Sequence, residues 1–70
     1  MDKFGSKLRN LRINHGLTQR QVADMLEVSR PYVAKMERGE KMPNAPMILK
    51  VAAIFNVTTD QLMKDDLDLD

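Results

Sequence analysis

Leu17-Thr18-Gln19-Arg20-Gln21-Val22-Ala23-Asp24-Met25-Leu26-Glu27-Val28-Ser29-Arg30-Pro31-Tyr32-Val33-Ala34-Lys35-Met36-Glu37-Arg38-Gly39 is the stretch that decides the fold. Thr18 and Ser29 each follow an apolar residue and precede another by four positions: Leu17 with Val22, and Val28 with Val33. A Ser or Thr so placed is a helix N-cap, its oxygen accepting from a free amide of the first turn while the two apolar side chains pack as a staple. Gln21 adds a capping box to Thr18. The pattern predicts one helix from Gln19 to Met25 or Leu26, a tight turn, and a second helix from Arg30 to about Arg38, stopped by Gly39.

The same start signal recurs at Val57-Thr58 with Leu62, again with a capping-box glutamine, Gln61. It predicts a short last helix over about Thr59 to Lys64. Ahead of the deciding stretch, Phe4, Leu8 and Leu11 recur at helical spacing and predict a helix from about Asp2 to Asn14, with Gly16 as its stop. Between them, Asn44 is a plausible cap and Pro46 is tolerated in a first turn, which predicts a helix over Ala45 to Phe55 ending at Asn56. No segment alternates with a period of two, so the expected fold is all-α, a compact bundle of five helices. The terminal Asp65-Asp66-Leu67-Asp68-Leu69-Asp70 carries too much charge to bury much, and is expected to fray as an acidic tail behind a domain of residues 1–64.

Seventy residues hold one domain and exclude a two-domain enzyme. Without cysteine the chain has neither disulfides nor thiolate zinc ligands, so helix packing alone must hold the core. No apolar run approaches a membrane span and the first residues lack a secretory apolar stretch, which predicts a cytoplasmic protein. The single histidine, His15, lies at the end of the first helix, where a satisfied terminal residue is the expected role; the chain offers no nucleophile with a base, no metal cluster and no small-molecule site. Neither catalysis nor a cofactor is expected. The six methionines are expected as core filler. Charge is uneven: residues 1–50 carry ten Lys and Arg against five Asp and Glu, and residues 51–70 carry Lys64 against five aspartates. Such a dipolar chain suits either two solvated faces or a cationic footprint for a polyanion.

Two short helices joined by a tight turn, the second basic on its outer face, form the architecture of a helix-turn-helix. Gly16-Leu17-Thr18-Gln19, Val22-Ala23, Val28-Ser29, Glu37-Arg38-Gly39, Pro43, Val51-Ala52 and Val57-Thr58-Thr59-Asp60-Gln61-Leu62 resemble, at matching spacings over about residues 5–63, the phage-repressor-like (Cro/Xre) helix-turn-helix family. The resemblance implies a lambda-repressor-like domain from a prokaryote or phage. It would bind double-stranded operator DNA sequence-specifically, usually as a homodimer, with the third helix in the major groove, and so regulate transcription. Base-contacting positions match Arg30, Pro31, Tyr32 and Lys35. Because Arg and Lys can donate to guanine O6 and N7, guanine is expected in each half-site. Gln19 matches a phosphate-binding position, and Arg38, Lys41 and Arg9 are further phosphate candidates. Arg12 and Glu37 match a structural salt bridge. The chain departs from the family at Glu27, where a glycine usually closes the second helix; a left-handed non-glycine there costs on the order of 1 kcal/mol.

On the third helix, Ser29, Val33, Met36 and Glu37 share one sector, leaving Pro31, Ala34, Lys35 and Arg38 opposite. On the fourth, Ile48, Val51, Ala52 and Phe55 make a sufficient core stripe, so Met47 and Ile54 on an adjoining flank are expected to face a second copy, extended by Met63 and Leu67. The rival to DNA binding is a protein-interaction module, such as an antitoxin-like partner, that would use the acidic end. Salt dependence separates the two.

Overall fold

Side-chain caps hold four of the five helices in the computed structural model, which describes residues 1–69. The helices are α1 (Phe4–Asn14), α2 (Gln19–Leu26), α3 (Arg30–Glu37), α4 (Ala45–Phe55) and α5 (Thr59–Met63), with no strand among the described residues. Thr18 and Thr58 close capping boxes with Gln21 and Gln61; Ser29 accepts from the amide of Tyr32 and Asn44 from that of Met47. The staple residues Leu17, Val28 and Val57 pack against the core. That core draws Phe4, Leu8 and Leu11 from α1 and meets Val22, Leu26, Val33, Met36, Val51, Phe55 and Leu62. His15 donates from Nδ1 to the Leu11 carbonyl (2.8 Å) and stands edge-on to Phe55. None of the helices is long and apolar enough to cross a membrane.

Gly5 is buried in α1 where that helix crosses the end of α3. A Cβ there would lie 2.5 Å from the Met36 carbonyl oxygen and 2.6 Å from that of Glu37, so only glycine lets the two backbones meet so closely.

Three side chains, those of Met47, Ile54 and Ala34, lie further inward than expected. Met47 is a core residue, 8% exposed, because it sits one turn before Val51 and its long flexible side chain folds inward from the edge of the stripe. Ile54 is half-buried against the same core. The uncovered apolar residue of α4 is instead Leu49, 61% exposed, beside a shallow apolar depression lined by Ala45, Ile48, Leu49, Thr59 and Met63. Ala34 is buried although its sector faces outward, since a methyl group does not reach beyond the longer side chains around it.

The acidic tail is not frayed over residues 65–69. The Asp65 carboxylate accepts from the amides of Asp2 and Lys3 at 3.0 Å each, capping an α1 whose own N-cap residue, Lys3, contributes no side-chain bond. Ordered helix therefore begins at Phe4 rather than Asp2. Reciprocally, the buried Lys7 ammonium donates to the carbonyl of Gln61 (2.6 Å) in α5 and to those of Lys64 (2.8 Å) and Leu67 (2.7 Å) beyond its end. Gln61 adds bonds to the carbonyls of Asp68 and Leu69, and Leu69 packs on the core. Asp70, the last residue of that tail, lies outside the described residues.

Candidate nucleic-acid interface

The turn between α2 and α3 is residues 27–29, and it closes as a left-handed residue would close it. Glu27 has φ 61° and ψ 42°, and the following amide, that of Val28, bonds back to the Ala23 carbonyl at 2.9 Å. Glycine would be unstrained here; the chain tolerates Glu because the Ser29 cap restarts the helix at once. The result delivers the N-terminus of α3, with Arg30 and Pro31 exposed, to the surface. Lys35 and Arg38 are exposed further along, while Tyr32 is half-buried against the core. Arg9 on α1 and Lys41 in the loop after α3 are exposed as well, with no carboxylate within 4.0 Å among the described residues.

Beneath this surface lies the pair expected from the sequence. Arg12 grips Glu37 with two bonds, Nε to Oε2 at 2.7 Å and Nη2 to Oε1 at 3.1 Å, and gives a third, from Nη1, to the Leu17 carbonyl. The Glu37 side chain is 4% exposed, so its charge is neutralised inside the domain rather than shown to a polyanion. The pair ties α1 to the end of α3 and to the loop that leads into α2.

Two arrangements at this surface go beyond the expected site, a three-residue chain through Gln19 and an exposed ion pair. Gln19, at the start of α2, donates from Nε2 to Glu37 Oε1 (3.1 Å) and accepts at Oε1 from Arg30 Nη1 (2.8 Å). Arg38 pairs with Glu40 at 2.5 Å, both side chains being exposed. The hydrogen bond and charge of Arg38 hold the Glu40 carboxyl below its ordinary range, helped by Lys35. The proximity of Arg38 and Glu40 along the chain could have flagged the second contact; the first joins three separate segments and leaves no local signal.

The comparisons with known proteins agree with this geometry. A family model described as Helix-turn-helix matches residues 8–62. An HTH-type transcriptional activator, BcrR of Enterococcus faecalis, is 38% identical over 64 residues, 91% of this chain and 31% of that protein. The chain spans between 13% and 56% of the length of the first three curated relatives it matches. Among solved structures, the restriction-modification controller protein C.AhdI from Aeromonas hydrophila superimposes with a TM-score of 0.79 at 35% identity, covering 89% of this chain and 94% of that one. The P22 c2 repressor in complex with a synthetic operator superimposes at 0.83 with 27% identity, covering 90% and 96%.

Proposed function

The chain belongs to the helix-turn-helix family, and from that premise we propose that it is a transcriptional regulator binding double-stranded DNA sequence-specifically through α3 in the major groove. One observation carries the reading: Arg30 and Lys35 stand exposed on a helix whose acidic member, Glu37, is turned inward and neutralised. Arg30 and Lys35 are the base readers, with Pro31 offering apolar contact and Tyr32 its exposed part. Gln19, Arg9, Lys41 and Arg38 serve phosphates, Arg38 after exchanging Glu40 for the DNA. The protein acts in the cytoplasm by binding alone, without a catalytic step or cofactor.

Its partner on the operator is a second copy. The exposed Leu49 and Met63 around the apolar depression, with Leu67 also exposed, favour a two-fold contact between copies of this face. Two recognition helices about 34 Å apart then read half-sites one helical turn apart.

Selection from random duplex DNA, with affinity measured against salt, tests the proposal. A palindromic motif containing guanine and a steep fall of affinity with salt are expected. No selected motif, or salt-insensitive binding only to a protein partner, would sink it. Sedimentation of folded Leu49→Lys tests the dimer: an oligomeric state and operator affinity like the parent's would exclude this face.

A further inference from the structure

Just past the end of α3 the chain places an acidic side chain that helix stability does not explain. Gly39 is left-handed (φ 76°) and its amide bonds to the Met36 carbonyl at 3.1 Å, while the Glu40 amide bonds to the Lys35 carbonyl at 2.9 Å. These two bonds close the helix as a Schellman motif and fix the backbone of Glu40 beside the last turn. From there its carboxylate reaches back to Arg38, accepting from Nε at 2.5 Å and from Nη2 at 3.4 Å, with both side chains 56% exposed. An anion at a helix C-terminus opposes the dipole, and an exposed ion pair contributes little to stability. What the pair does change is the charge shown to a polyanion. It cancels Arg38 beside the exposed Lys35, next to a helix whose own acidic residue, Glu37, is turned inward.

Given the DNA-binding reading above, on which this rests, we propose that Glu40 stands in for a DNA phosphate: it occupies Arg38 in the free protein and must be displaced before Arg38 can grip the backbone. Because the exchange is made at a phosphate, it weakens binding to every duplex alike and leaves base preference to α3. It also couples binding to protons. In the free protein the hydrogen bond and then the charge of Arg38 hold the Glu40 carboxyl below its ordinary range, with a smaller contribution from Lys35; these are the charged groups that act on it among the described residues. In the complex Arg38 is committed to a phosphate, and the carboxylate faces the polyanion without its partner, so its affinity for a proton rises. The complex then holds more protons than the free protein, and affinity rises as pH falls toward the carboxylate range.

The test is the affinity of the parent, Glu40→Gln, Arg38→Ala and the double variant for a random-sequence duplex and for the selected motif. At about pH 7.5 and low salt, Glu40→Gln should bind both duplexes about threefold to tenfold more tightly, with the ratio between them unchanged. In the Arg38→Ala background the same substitution should gain less than about half as much, because no cation is left to release. At about pH 5 the parent should approach Glu40→Gln, since protonation does there what the substitution does at neutral pH. An unchanged affinity in Glu40→Gln would overturn the proposal. So would a gain that persists in full without Arg38, which marks plain repulsion between the carboxylate and DNA, or a gap between parent and Glu40→Gln that stays the same at the lower pH. A parent chain that binds neither duplex would overturn the functional reading itself, whereas a parent that binds both and gains nothing from Glu40→Gln overturns only the role of Glu40.

Discussion

The helix-turn-helix end and the end where the chain termini meet match charge in different ways. At the first, Glu37 is matched by the side chain of Arg12, and the surplus acceptor is passed through Gln19 to the surface. At the second, Lys7 is matched by three backbone carbonyls, and Asp65 by two backbone amides and the N-terminal ammonium of Met1 at 3.4 Å. Each of those charges lies at a helix end whose dipole suits it, the cation among carbonyls in and just past α5 and the anion on the two amides just ahead of α1. Charge at the first end is turned toward a surface, while charge at the second only fastens the fold.

The largest effect expected from breaking this contrast is Arg12→Met. It strands a carboxylate that is 4% exposed, so urea melts should show a loss of about 3 kcal/mol or more. A loss below about 0.5 kcal/mol would mean that the pair behaves as a surface one. Next is Lys7→Met, which keeps an apolar stem of similar length but leaves three carbonyls without their donor. A loss of about 2 kcal/mol is expected in the same melts, with α3 and its exposed side chains undisturbed by chemical shift. An unchanged melt would mean that the tail does not depend on Lys7.

Glu27→Gly sharpens the first end by removing its one strained residue. At φ 61° glycine is the better occupant, and a gain of about 0.5–1 kcal/mol is expected; a lowered melting temperature would show that the Glu27 side chain earns its place by other contacts. The smallest effect belongs to Asp65. The amides of Lys3, then Asp2, hold its carboxyl below the ordinary aspartate range. A group depressed in the folded state stabilises above its unfolded value, about 3.9, and that stability is lost as pH falls through the lower folded value. Melts below about pH 4 should therefore fall more steeply for the parent than for Asp65→Asn; parallel slopes would show that Asp65 does not cap α1.

How much was legible in the sequence follows the same division. The helix starts at Thr18, Ser29, Asn44 and Thr58 are local signals, and all four are caps in the structure. The left-handed turn at Glu27 and the Arg12–Glu37 pair were reached through the family's pattern. The bonds of Lys7 and Asp65 were not legible, because a lysine on an otherwise polar helix face and an aspartate in an acidic run look solvated until tertiary folding brings backbone to them. Met47 and Ile54 lie closer to the core than expected for a related reason: a helical wheel sets the width of an apolar stripe, whereas its direction is set by neighbours the wheel does not contain. Gly5 gave no signal either, since a close approach to α3 involves a backbone far away in sequence.

In the proposed complex, the charge kept free at the first end reads DNA bases through Arg30, while Arg38 only helps to hold the backbone. Binding-site selection carried out in parallel on Arg30→Ala and Arg38→Ala tests it most directly. Arg30→Ala should lose about 1–3 kcal/mol at the preferred site and relax the preference for guanine at one position in each half-site. Arg38→Ala should keep the motif, weaken all sequences alike and flatten the dependence on salt. An Arg30→Ala protein that selects the parent's motif unchanged would contradict the account.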